Sequence, residues 1–368
     1  MKIAIVINTS WNIYNFRMGL IKSLKANGIE VYTIAPEDDF SPLLIENDCN
    51  YTPVKMDNTG TNPLNDIKLT YRLFQIYKKI RPDLILHFTI KPNIYGTAAA
   101  TMLGIPVINN VCGLGTIFMK KNLVNSLAKF MYKLAFKYPK KVFFQNGNDR
   151  DLFIKQKLIR EEITELVPGS GIDLTKFIPK EFKKNKDFTF LLISRLIYDK
   201  GIVEYVEAIK SLKSKGINAR FQLLGAPDPS HKRGITTKML EQWINSDIIE
   251  YLGTTDDVRK FIDDADCIVL PSYREGTPRT LLEAASSGKP IVATDVPGCN
   301  HVVENNYNGF LCNLKDAEDL AVKMYDMLLL KEEALELMGK NGRRKVEMQF
   351  DEKFVVDKYL ESIRNICA

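Results

Sequence analysis

Histidine is scarce in this chain. Its 368 residues include three, His87, His231 and His301, far apart in sequence, so a histidine-rich metal centre is not expected. The six cysteines have neither metal-type nor redox-type spacing and mostly lie in apolar surroundings, so they read as reduced structural side chains. No apolar run approaches the roughly 18 residues needed to span a bilayer. The opening MKIAIVINTS carries one lysine and five apolar residues before Asn8, which reads as a first strand rather than a secretion signal, and a cytoplasmic protein is expected. The loop that follows, NTSWNIYNFRMG, lacks GxGxxG, which argues against a nicotinamide enzyme. Low-complexity tracts and short repeats are absent, and no nucleic-acid partner is expected.

What is present is ordinary globular composition, 45% hydrophobic and 26% charged with a net charge of +6. The length suits two domains of about 170 to 190 residues better than a single core. Strand-like runs alternate with helical ones: KIAIVI, FRMGLIKSLKANG, EVYTIA, then DLILHF, VINNV and VFFQN. This is the βαβ rhythm of a doubly wound parallel sheet. It breaks near residue 170 at VPGSGIDLTKFIPKEFKKNKD and restarts with FTFLLIS, ARFQLLG, IIEYLG, CIVLPS and PIVATD. The expected organisation is therefore a Rossmann-like domain over 1–170, a second over 171–348 and a final helix over 349–368 that packs back across the seam. That helix has Phe354, Val355, Tyr359 and Ile363 near one face.

The segment YREGTPRTLLEAASSGKPIVATDVPG holds Glu275 and Glu283 eight residues apart. Thr277 suits an N-cap, Pro278 a first helical position and Gly288 a stop, which predicts a helix from about Pro278 to Ser287. At 1.5 Å per residue the carboxylates stand roughly 12 Å apart along it. They are placed to grip opposite ends of an elongated ligand, with the amides of the helix start forming an anion site between them. Surface glutamates and Thr-Pro caps are common by themselves. The strand CIVLPS before the loop is what sets this one apart, because open parallel sheets bind ligands at the carboxyl ends of their strands. In LLISRLIYDKG, Arg195 and Lys200 stand at the same kind of edge, and charge-assisted hydrogen bonds of roughly 1.5–3 kcal/mol each suit them to a diphosphate without a metal. A nucleotide-sugar has that shape and charge.

The motifs SRLIYDKG, REGTPRTLLEA, GKPIVATDVPG, NGFL and VPGSGIDLTKF together resemble the retaining glycosyltransferases of family 4, which have the two-Rossmann GT-B fold. The likeness covers the whole chain and is strongest from Val167 to Leu311. Within the family it is most similar to bacterial enzymes that extend undecaprenyl-diphosphate-linked sugars during polysaccharide or glycan assembly. The resemblance implies that Glu275 contacts hydroxyls of the donor sugar, Glu283 holds the ribose, and Arg195 and Lys200 hold the diphosphate. Amides of Gly276, Thr277, Pro278's neighbour Arg279, and Thr280 complete the phosphate site. Two departures stand out: the family often has an aromatic residue where this chain has Thr277, and a histidine where it has Cys112.

On the first domain's side, Asn15, His87, Lys91, Asn110 and Gly113 are candidates for the acceptor or sugar, with Asn8, Asn12, Arg17 and Asn109 beside them. His87, at the end of its strand, is expected to face a ligand. The DxD-like strings at Asp264–Asp266 and Asp149–Asp151 are poorly placed for a metal, so metal-independent transfer is expected, from a UDP-sugar to a lipid-diphosphate-linked saccharide. A retaining glycosidase would need carboxyls about 5 Å apart. The competing classes are a UDP-sugar epimerase of the same fold and a non-catalytic sugar-nucleotide-binding protein.

The segment from Ile117 to Lys141 contains seven lysines and no acidic residue. Lys129, Lys133 and Lys137 recur every four residues, and Leu123, Leu127, Phe130, Met131 and Leu134 gather on another face. Such a basic amphipathic helix suits an anionic membrane surface, and peripheral attachment to the inner face of the cell membrane is expected.

Overall fold

A computed structural model describes every residue except 58–61, 115–122, 182, 229–230 and 368, and only the backbone of 123 and 124. The chain divides into two compact units, Met1–Ser170 with Glu352–Ala368, and Gly171–Asp351.

The first unit is built on seven parallel strands: β1 (Lys2–Val6), β2 (Glu30–Ala35), β3 (Asn50–Pro53), β4 (Leu84–Phe88), β5 (Val107–Val111), β6 (Lys141–Phe144) and β7 (Thr164–Leu166). Their spatial order is β3-β2-β1-β4-β5-β6-β7. Strand alternation sends Ile3 and Ile5 of β1 into one core and Ala4 and Val6 into another, so both faces are covered. The Ser10–Ala26 helix covers the first face with Ile13, Leu20, Ile21 and Leu24. Beside it lies the C-terminal helix Glu352–Cys367, whose Val355, Tyr359 and Ile363 enter the same core. Phe354, expected on that face, is instead 41% exposed, because it falls off the i, i+4, i+8 line that the other three follow.

The second unit repeats the plan with six parallel strands: β8 (Thr189–Ile193), β9 (Arg220–Leu224), β10 (Glu250–Tyr251), β11 (Cys267–Leu270), β12 (Ile291–Thr294) and β13 (Gly309–Cys312), ordered β10-β9-β8-β11-β12-β13. Phe190 and Leu192 point to one core, Leu191 and Ile193 to the other. In each sheet the order reverses once, between β1 and β4 in the first and between β8 and β11 in the second. Ligands of open parallel sheets bind at the carboxyl edge of that reversal. Both units are Rossmann-like, and the strands that sequence patterning leaves out, β3, β7 and β13, are four, three and four residues long and lie at sheet edges.

Candidate active site

The two strands flanking the reversal in the second unit, β8 and β11, deliver the predicted donor residues. β8 ends at Ile193 and is followed by Ser194 and an exposed Arg195, whose side chain has no ion pair or hydrogen bond among the described residues. The chain then makes a single 3-10 turn, Tyr198–Lys200, and enters the Ile202–Ser214 helix through Gly201 at φ 72°. A Cβ at Gly201 would lie 2.0 Å from the Pro271 carbonyl oxygen. Glycine is therefore required where this loop crosses the end of β11.

Beyond β11, the Ser272 hydroxyl donates to Glu275 Oε1 at 2.7 Å, and Lys200 Nζ pairs with that same oxygen. Oε2 has no partner among the described residues. Two further bonds tie the loops together, with the Asp199 carbonyl accepting from the Tyr273 amide at 2.9 Å and from the Ser272 hydroxyl at 3.1 Å. Behind Glu275 stands Gly298, φ 91°, where a Cβ would fall 2.6 Å from the Glu275 carbonyl oxygen. Lys200 and Glu275 thus form one rigid, partly exposed unit.

The following helix is Arg279–Ser286, one residue shorter at each end than expected. Pro278 is its N-cap residue, with extended backbone (φ −71°, ψ 117°), so Thr277 does not occupy the N-cap position and Pro278 makes no side-chain capping bond. The positive end of the helix dipole lies at this start, where it favours negative charge. The Thr280 hydroxyl donates to the Ile193 carbonyl at 3.2 Å, which moors the helix start to the end of β8. Glu283, on the helix's last turn, accepts from Arg279 Nε at 3.0 Å with its side chain 13% exposed. Burial raises the Glu283 carboxyl above its ordinary range, and the adjacent Arg279 guanidinium opposes that rise. Arg279 also donates to the Gly171 carbonyl at 2.5 Å, so it spans from Glu283 to the start of the unit. That second role of Arg279 left no trace in the local pattern.

Among the acceptor-side candidates the outcome differs. His87 is fully buried, with Nε2 3.0 Å from the Tyr77 hydroxyl and Nδ1 3.0 Å from Asn109 Oδ1. Burial lowers it to about 3, so it is a neutral core side chain and not the ligand-facing group expected from its strand-end position. Asn110 is likewise committed: its amide donates to the His87 carbonyl at 3.1 Å and its Oδ1 accepts from the Tyr359 hydroxyl. With Asn109 bonded to Thr97 and Asn93, the polar side chains of β4 and β5 form a network inside the unit. None of His87, Asn109 or Asn110 replaces the family histidine at Cys112. The reason is that both faces of this parallel sheet are covered, so every side chain of β4 and β5 is buried. Lys91 is paired with Asp66 at 2.8 Å, both largely buried. Asn15 back-bonds to the Trp11 carbonyl at 3.0 Å. Gly113 adopts φ 113°, a conformation that glycine accepts.

Of the DxD-like aspartates, Asp266 accepts from the amides of Asn185 at 2.9 Å and Thr189 at 2.7 Å, which fastens the start of β8. Asp149 lies within an N-cap arrangement with Asn146. Both are structural.

Comparisons with known proteins give the family. Residues 173–345 match the family model "Glycosyl transferases group 1" and residues 2–146 match "Glycosyl transferase 4-like". A Campylobacter jejuni N,N'-diacetylbacillosaminyl-diphospho-undecaprenol alpha-1,3-N-acetylgalactosaminyltransferase is 31% identical, over 98% of each chain.

The chain belongs to the group 1, family 4-like glycosyltransferases.

Other relatives of this glycosyltransferase include an Escherichia coli UDP-Gal:alpha-D-GlcNAc-diphosphoundecaprenol alpha-1,3-galactosyltransferase, 24% identical over 95% of this chain and 96% of its own. In fold the enzyme is similar to a Rickettsia africae glycosyltransferase (TM-score 0.81, 20% identity, 99% and 98% of the two chains). It is also similar to Anabaena HepE in complex with UDP (TM-score 0.78, 19% identity, 99% and 100%). The two-sheet architecture is thus the GT-B fold.

Proposed function

We propose that the enzyme moves a hexose or N-acetylhexosamine from a UDP-sugar, with retention at the anomeric carbon, to a lipid-diphosphate-linked saccharide in bacterial polysaccharide or glycan assembly. The observation that carries this reading is the 31% identity, across 98% of both chains, with a transferase named for a diphospho-undecaprenol acceptor. The site supports it chemically. Arg195 and Lys200 neutralise the leaving diphosphate, and the open helix start at Pro278 takes a phosphate oxygen. Glu275 reaches the sugar hydroxyls with Oε2, Oε1 being held by Lys200 and Ser272. Glu283 accepts from the ribose hydroxyls. The bond from the anomeric carbon to the phosphate oxygen breaks, the acceptor hydroxyl oxygen bonds to that carbon on the same face, and its proton passes to the departing phosphate. Positioning and charge stabilisation supply the rate, with no protein nucleophile. Two fixed cations and a helix terminus take the part a divalent ion would otherwise play, so the transfer is metal-independent.

The reaction site is proposed to lie at the inner membrane surface. No helix among the described residues is long and apolar enough to cross a membrane. The Leu123–Ala135 helix supports peripheral attachment: its core side is Tyr132, Ala135 and, just beyond, Phe136, while Leu127, Phe130, Leu134 and nearby Tyr138 are 58, 56, 41 and 56% exposed. An ordinary core helix buries such a stripe. Exposed Lys133 and Lys137 flank it. Residues 117–122 of the expected basic segment lie outside the described residues.

The test is product analysis. UDP-sugars are incubated with undecaprenyl-diphosphate-linked N-acetylhexosamine acceptors, and products are read by mass and by the configuration of the new bond. An α-linked product is expected from an α-linked donor. An epimer formed from donor alone, or an inverted linkage, would overturn the reading.

A further inference from the structure

In the first unit, Arg17 is 5% exposed and has no carboxylate partner. Its Nη2 lies 4.0 Å from the Cys112 thiol, its guanidinium carbon lies 4.3 Å above the Phe88 ring, and its Nε is buried without a hydrogen bond. The residues outside the described set contain no Asp or Glu to supply one. A buried guanidinium left this way is costly unless an anion arrives to meet it. Phe88 ends β4 and Cys112 follows β5, so the charge stands at the carboxyl edge of the first sheet.

Two other features share that edge. Thr89, immediately after Phe88, has φ 67°, a left-handed conformation rarely tolerated by a β-branched residue, and its Oγ1 is buried without a partner. Asn12, in the first turn of the helix that carries Arg17, has its Oδ1 buried without a partner. A cavity of about 130 Å³ opens there, lined by Asn8, Thr89, Ile90 and Lys91, at the β1–β4 reversal where this class of sheet takes its ligands. Lys91 brings no net charge, because Asp66 neutralises it at 2.8 Å. Among the described residues, Arg17 is the cation at this edge that has no carboxylate partner. On the proposed reading the donor diphosphate is met in the other unit by Arg195, with Lys200 shared with Glu275.

We propose that Arg17 anchors an anion subsite at the carboxyl edge of β1, β4 and β5, with Asn12 and Thr89 beside it, and that the subsite takes a phosphoryl group of the acceptor. This rests on the reading of the acceptor as lipid-diphosphate-linked. The guanidinium fork matches two phosphoryl oxygens at once, which a lysine ammonium does not.

The experiment uses the full-length enzyme and one acceptor sugar on two carriers, a short-chain polyprenyl diphosphate and a neutral octyl glycoside. Arg17→Gln should raise KM for the diphosphate carrier roughly tenfold or more, leave KM for the UDP-sugar within about twofold, and not alter use of the neutral carrier. Arg17→Lys should fall between. An equal loss on both carriers, or an unmoved KM for the diphosphate one, would overturn the subsite. Inorganic diphosphate, varied against the acceptor at saturating UDP-sugar, separates recognition of the bare anion, which gives competition in wild type that weakens in Arg17→Gln, from recognition of the lipid-borne group, which gives the KM shift without competition. Thermal unfolding without substrate is the second readout. Removing an uncompensated charge should leave the melting temperature unchanged or raised, whereas a marked fall would assign Arg17 a structural partner and overturn the proposal. If wild type used the neutral carrier and not the diphosphate one, the acceptor reading itself would fail, whatever Arg17 did.

Discussion

Lys200 and Glu275, 75 residues apart in sequence, meet at one carboxylate oxygen, Glu275 Oε1, which also accepts from the Ser272 hydroxyl. The residue proposed to hold the diphosphate therefore orients the residue proposed to hold the sugar. Glu275→Gln should lower kcat by about a hundredfold while leaving UDP affinity nearly intact, as measured by steady-state kinetics and nucleotide titration. Replacing Arg195 and Lys200 together by Ala should cost several kcal/mol of UDP affinity, as an order of magnitude. Because the pair is coupled, Lys200→Met combined with Glu275→Gln should destabilise less than the sum of the single changes. Strict additivity in thermal unfolding would contradict the pairing.

Glu283 should behave differently. Its carboxyl is raised in the folded state, chiefly by burial, with Arg279 opposing. The unfolded chain gives up this proton first, so the group's contribution to stability falls as pH rises above 4.5, until the folded carboxyl has ionised too. Glu283→Gln should remove that slope in unfolding measured between pH 4 and pH 8, and should weaken nucleotide binding more than turnover. The opposite division between Glu275 and Glu283 would exchange their assignments.

His87 is lowered from 6.5 to about 3 by burial. Below pH 6.5 the unfolded chain binds a proton that the folded one refuses, so stability is lost on acidification by about 1.4 kcal/mol per pH unit, and the loss levels off near the folded value. His87→Gln should be less stable at pH 7 by about 1–3 kcal/mol, because Tyr77 and Asn109 lose a partner, yet show a flatter acid limb. A pH–rate profile between 6 and 8 that moved with this substitution would return His87 to the reaction.

Flotation with anionic liposomes checks the membrane face. Binding should fall with Leu127→Asp and Phe130→Asp, fall less with Gln at Lys129, Lys133 and Lys137, and weaken at high salt, where screening shortens the attraction. Wild-type binding by all of these variants would show that this helix does not hold the enzyme at the surface.

Activity should persist in excess EDTA. Loss on chelation, restored by Mn²⁺ or Mg²⁺, would mean that Arg195, Lys200 and the Pro278 helix start do not suffice for the departing charge.

The sequence by itself determined the two-sheet plan, because buried parallel strands write themselves as apolar runs and the intervening helices as 3.6-residue stripes. It also located Arg195 and Glu275 in the loops that follow β8 and β11, Lys200 at the start of the helix after β8 and Glu283 within the helix after β11, because strand ends and helix starts are legible. Tertiary structure decided the rest. His87 and Asn110 each stand one residue before the end of their strand, yet every residue of β4 and β5 is buried because both faces of the sheet are covered, so nearness to a strand end does not by itself expose a side chain. The partners that define a charge, Asp66 for Lys91, Arg279 for Glu283 and none for Arg17, come from helices and turns whose approach no local pattern records. On the Leu123–Ala135 helix the periodicity drew an apolar face, but only packing showed that Tyr132 and Ala135 turn inward while Leu127, Phe130 and Leu134 remain outside. Periodicity states that a helix has two faces, and the rest of the fold chooses which one it buries.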